Sequence, residues 1–214
     1  PPPESGVQGR PTEARPPARP IVTKRDKKRP GRNGGRHAKL CAWGSLLQPL
    51  KDYRSRFVAR KPSLEKMRYP DELRQLGQTE GVMELVPPPV TAVRTSTPPL
   101  TRARHPNTYL WAITANGAPF IMENTAVNPP LHATRVVHTN LTGGQDAHSA
   151  GELWFSAHNA FWMSGGSSRY RARSKEELDS VASAFTQCGF TVISLGWDDD
   201  IDGPARVYRE TSNG

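Results

Sequence analysis

The chain has 214 residues, of which 29 are Lys or Arg and 20 Asp or Glu, for a formal charge of +9. That length holds one ordinary domain with tails, or two small ones, and excludes a multidomain enzyme. No run of about 18 apolar residues occurs, which excludes a transmembrane helix, and the polar, Pro-rich first residues lead us to expect no signal peptide there.

The charge is unevenly placed. Residues 1–104 hold 22 Lys+Arg, 9 Asp+Glu and 16 of the 21 prolines, a balance of +13. Residues 105–214 hold 7 Lys+Arg and 11 Asp+Glu, a balance of −4. Residues 1–39 have almost no apolar content, and their cations repel one another. Such a segment cannot bury enough surface to offset its ordering entropy, so it is expected to be a disordered or extended basic arm. Lys24–Arg36 suits an anionic macromolecule, RNA among the candidates, or serves as a solubilising linker.

Residues 40–106 read as short helical pieces and a Pro-rich connector. Trp43, Leu46, Leu47, Leu50 and Tyr53 follow helical spacing, while Pro49 argues against one unbroken helix. A second short helix is predicted from Asp71 to Leu76, between Pro70 and Gly77. These pieces are expected to lie against the C-terminal domain.

Residues 107–210 read as an α+β domain, compact, with a mainly antiparallel sheet and one clear helix. Tyr109–Thr114 and Pro119–Met122 form a hairpin turning at Asn116–Gly117. Thr134–Val137 is predicted as a third strand. Glu152–Phe155 and Ala160–Met163 form a second hairpin near His158–Asn159. Ser174 with Glu177 spells a capping box. Leu178, Val181, Ala182, Phe185 and Cys188 then share one helical face, and Gly189 supplies the left-handed stop. Thr191–Leu195 and Arg206–Tyr208 are predicted strands. Trp111, Trp154, Trp162 and Phe185 are the expected core.

The two cysteines and six histidines lack zinc spacing, and no metal ligand set is expected. A Cys41–Cys188 disulfide has no support in the pattern. Asp198-Asp-Asp200-Ile-Asp202-Gly203 spells the opening of a calcium loop, but its twelfth position is Arg209, which binds no cation. The run reads as an acidic turn, or as a source of a catalytic acid. The densest polar constellation is Arg135–Gly144, with Ala150–Leu153 and Ser164–Tyr170. There a strand is expected to deliver His138, and a later loop Ser167, Arg169 and Tyr170, with glycines permitting close backbone approach to a ligand.

These residues resemble, in order, the central domain of the plant IQ-motif calmodulin-binding proteins and related bacterial domains. The matches are His138, Thr139, Gly143, Gly144, Ala150, Gly151, Leu153, Trp162, Ser167 and Tyr170, within Thr108–Phe190. Ser168-Arg169 stand where that family has Gly-His, and Ala172 where it has Pro. No IQ pattern is visible, so the calmodulin partner does not carry over. His138-Thr139 also resembles the His motif of ADP-ribosyltransferases. That resemblance implies NAD as cofactor, held by His138, Thr139, Ser167, Arg169 and Tyr170. It implies His138 on the ribose, Tyr170 stacked on nicotinamide, and a carboxylate that stabilises the transition state. Glu152 takes that catalytic role beside His138 and Tyr170, in competition with Asp198, Asp200 and Glu210.

The architecture is similar to a C-terminal toxin domain of Rhs-type polymorphic toxins. The resemblance implies a monomeric secreted effector delivered to a target-cell cytoplasm, modifying RNA or protein, with a cognate immunity protein. The competing expectation is a cytoplasmic, non-catalytic protein that binds nucleic acid or an assembly through its basic arm.

Overall fold

The computed structural model describes residues 47–86, 93–101, 103 and 105–209. The basic arm, Cys41, Trp43, Leu46, Pro87–Pro89 and Glu210 lie outside them. All described residues belong to one compact unit, Gly35–Gly214.

The fold is α+β, built on a six-stranded, mainly antiparallel sheet. Its strands are β1 (Met83–Glu84), β2 (Tyr109–Ile113), β3 (Pro119–Met122), β4 (Ser149–Ala157), β5 (Ala160–Ser164) and β6 (Thr191–Ser194). They lie in the order β1-β3-β2-β4-β5-β6. The β2–β3 and β4–β5 hairpins are those the sequence predicts. β6 runs parallel to β5, because helix α3 (Lys175–Gln187) carries the chain back across the sheet.

Strand alternation gives the sheet two different faces. Trp111, Phe120, Leu153, Phe155, Phe161 and Met163 point to one face and are fully buried. Leu178, Val181 and Phe185 of α3 cover them, together with Leu50 and Tyr53 of helix α1 (residues 47–56). Trp111 and Phe185 meet edge to face at 5.6 Å, and Phe161 and Phe185 at 5.9 Å. Such aromatic pairs add to the burial energy of their area. Pro49 does not interrupt α1.

The opposite face is covered by the short helix α2 (His138–Thr142), by Leu76 and by Tyr170, and a 3-10 turn at Pro70–Leu73 packs on α2. Trp162 lies on this face opposite Trp154 and is only half-buried, since α3 packs on the other side.

Three predicted elements differ. Thr134–Val137 is not a strand: Thr134 takes φ +57°, and Val137 is the N-cap of α2. His138 is therefore the first residue of a helix, not the end of a strand. Asp71–Leu76 forms only the 3-10 turn, because the Asn140 side chain takes the carbonyls of Asp71, Glu72 and Arg74. Arg206–Tyr208 is irregular, and the last strands are β7 (Trp197–Asp198) and β8 (Gly203–Pro204).

The α3 cap follows the predicted pattern with one shift. Ser174 Oγ accepts from the Glu177 amide at 3.1 Å. Glu177, itself buried, reaches past Ser174 to the Arg173 amide at 2.8 Å. Gly189 stops the helix at φ +100°. No helix among the described residues is long and apolar enough to cross a membrane.

Candidate active site

Five of the six residues singled out in the sequence converge beneath the sheet, in a buried polar hub. His138 Nε2 lies 2.9 Å from the Gly151 carbonyl, so this nitrogen carries the proton and donates it. Burial pushes the imidazole down to about 4, with the Arg169 charge adding to the effect. Gly151 is required by packing: a Cβ there would meet the Ser164 carbonyl oxygen at 1.9 Å. The Tyr170 hydroxyl bonds Thr142 Oγ1 at 2.7 Å and donates to the Gln145 carbonyl at 2.7 Å. Its ring is fully buried. Ser167 Oγ accepts from the amides of Arg169 and Tyr170, each at 3.1 Å, and so forms the turn that sends Tyr170 inward. Arg169 makes a buried ion pair with Glu72 and donates to the Ser63 carbonyl at 3.1 Å. Thr139 is fully buried, and its Oγ1 has no hydrogen-bond partner among the described residues.

Glu152 lies on the same face but outside the hub. It follows Gly151, whose carbonyl His138 holds, and strand alternation turns its side chain to the α2 face of the sheet. There it lines a cleft of about 220 Å³ with His105, Glu123, Arg135, Trp154 and Arg206. Burial is the main reason its carboxyl is pushed up to about 7; the Glu123 charge adds to this, while Arg206 and Arg135 oppose it. Arg135 pairs with Glu123 at 3.0 Å. The Trp154 indole donates to Thr108 Oγ1 at 3.0 Å, which fixes the ring in the cleft wall. His105 stands edge-on to it at 6.3 Å.

Arg135 also lines a larger groove of about 700 Å³. Arg169 borders that groove; His138, Thr139, Ser167 and Tyr170 line neither space. The structure thus separates the six residues into a hub and a cleft, joined by the Gly151–Glu152 peptide. In this arrangement His138 and Tyr170 are positioning groups.

Arg206, Glu123 and His105 are cleft residues that sequence reasoning misses. Arg206 and His105 come from irregular segments distant in sequence, and no local pattern marks them. Trp154 is core, as its place in an apolar strand predicts, and also borders the cleft.

Asp198 and Asp200 do not line the cleft. Asp198 Oδ1 accepts from the Asp200 amide at 3.2 Å, closing an acidic turn. Among the described residues no group of three or more His, Cys, Asp or Glu is placed to hold a metal ion. Cys188 is buried at the end of α3.

Chemically, the cleft offers a carboxyl pushed up to about 7 and two guanidinium groups for an anion. No family model matches the chain, and no curated protein or solved structure matches it either.

Proposed function

We propose that the chain is an NAD-dependent ADP-ribosyltransferase of the toxin or effector type, with a macromolecule as acceptor. The observation that carries the reading is the half-buried Glu152 carboxyl sharing a cleft with Arg135 and Arg206, whose charges act on it. The donor set suits the polar parts of NAD: two guanidinium groups suit its pyrophosphate, and a carboxylate suits ribose hydroxyls. NAD, when bound, supplies the ADP-ribosyl group, with nicotinamide leaving.

Glu152 does the chain's own chemistry. As a carboxylate it stabilises positive charge developing near the ribose. With a value near neutrality it also accepts the proton of an attacking nucleophile. Arg135 and Arg206 hold the anion in place, and Glu123 orients the Arg135 guanidinium at 3.0 Å, so less side-chain freedom is lost when the anion binds. His138 holds the backbone that presents Glu152.

The resemblance to Rhs-type toxin domains supports delivery into a target-cell cytoplasm and a cognate immunity protein. The test is incubation with labelled NAD and cell extract, using the parent chain and Glu152→Gln. Label in protein or RNA that the variant fails to transfer supports the reading. No label in either, with no NAD consumed, overturns it.

A further inference from the structure

The larger groove has a make-up of its own. Residues 65–69 and 132–135 form much of its wall. Leu64, Met67 and Tyr69 are exposed by 43%, 37% and 39%, next to exposed Lys66 and Arg68. These side chains face outward from a pinned backbone. The Ser63 amide donates to the Arg169 carbonyl at 3.0 Å, and the Arg68 amide to Glu72 Oε1 at 2.9 Å.

Tyr69 stacks on His132, with ring centroids 5.8 Å apart and planes within 21°. Asp71 Oδ2 holds His132 twice, from the backbone amide at 2.8 Å and from ring Nδ1 at 3.1 Å. The pair is a preorganised aromatic shelf. Around it, Lys66 and Arg68 make no ion pair among the described residues. Glu72 is neutralised by Arg169, which leaves Glu65 as the opposing charge on this wall.

We infer that this groove binds a single-stranded stretch of polynucleotide, with a base on the Tyr69–His132 shelf and phosphates against Lys66 and Arg68. Cations that follow a backbone beside an aromatic platform are the features such strands require, and unpaired segments are where RNA exposes its bases. RNA and DNA share this chemistry. Arg135 lines both the groove and the Glu152 cleft, so the bound strand is placed to be the acceptor. The acceptor role rests on the transferase reading; the binding does not.

The test uses the full chain without NAD. Fluorescence anisotropy measures binding of a labelled RNA of about twelve nucleotides, the same sequence as DNA, and an abasic strand with the same phosphates. Tyr69→Ala is expected to weaken the base-bearing strands by about five- to a hundredfold and to leave the abasic strand unchanged. Tyr69→Phe keeps the ring and retains the affinity. Lys66→Ala with Arg68→Ala weakens all strands and lowers the salt slope by about 0.7 per lost phosphate contact. Selective loss on RNA, on DNA or on both supports the groove and identifies the strand it takes. Normal binding by Tyr69→Ala, or an unchanged salt slope in the Lys66/Arg68 variant, overturns it, as does equal competition by a poly-glutamate peptide. Should Tyr69→Ala fail to fold, the exposed Lys66 and Arg68 positions decide. A chain that transfers ADP-ribose while these variants bind strands normally overturns the groove alone.

Discussion

The two faces of the sheet solve opposite problems. On the α1/α3 face, Trp111, Phe120, Phe155, Phe161 and Phe185 pack on one another, and the buried Glu177 of α3 is held by Arg60 and Arg173. On the α2 face, apolar residues such as Leu110, Ala112 and Ile121 share space with His138, Thr139, Asn140 and Tyr170. The same strand serves both: Leu153 and Phe155 of β4 point to the first face, Glu152 and Trp154 to the second. Sequence neighbours therefore have unrelated jobs. Burial on the dry face supplies stability, while the wet face uses part of it to hold charges out of water.

The largest expected effects test whether both faces hold the fold. Trp111→Ala should cost about 3–5 kcal/mol in urea unfolding, through lost transfer energy and a cavity. Arg169→Ala should cost about as much, roughly 3–5 kcal/mol, because it strands Glu72 as a buried unpaired charge. If Arg169→Ala costs little, the wet face is not structural and the contrast fails.

Glu152→Gln separates stability from chemistry on the wet face. It should lower NAD consumption by about a hundredfold or more while the chain stays folded by circular dichroism. Tyr170→Phe sharpens the division between hub and cleft. Losing the hydroxyl leaves the Gln145 carbonyl without its donor and should cost about 1–3 kcal/mol. The folded variant should still consume NAD, since the ring lines neither space.

The most gradual effect is on pH dependence. The Glu152 carboxyl, at about 7 when folded, lies above its ordinary 4.5. Between those values the folded chain keeps a proton that the unfolded chain has lost, so this group's contribution falls as pH rises. His138, at about 4 when folded, lies below its ordinary 6.5. As pH drops through that interval the unfolded chain gains a proton that the folded chain refuses, so stability falls toward acid. The two slopes oppose each other between about 4.5 and 6.5. Glu152→Gln should uncover the His138 slope, up to about 1.4 kcal/mol per pH unit, in urea titrations across that range.

Much of the architecture is legible in the sequence because it is local. Asn116–Gly117 marks one hairpin, Ser174 and Gly189 bracket α3, and alternation marks β2, β4 and β5. The hub is legible as a motif: Gly151, Ser167 and Tyr170 are each required by a close approach, a turn or a buried hydroxyl. Its placement is not. Thr134–Val137 has strand-like composition, yet the left-handed Thr134 and the Asn140 cap turn it into the entry to α2. Asp71–Leu76 has helical composition, yet Asn140 takes its carbonyls.

By itself the amino-acid order determined the α+β class, the paired strands and the ends of the long helix, since periodicity, turn chemistry and capping act over a few residues. Only the tertiary structure decided which polar residues meet. Glu152, Arg135 and Arg206 lie in separate segments, and the electrostatic environment that moves a carboxyl toward neutrality exists only once burial and distant charges are assembled around it.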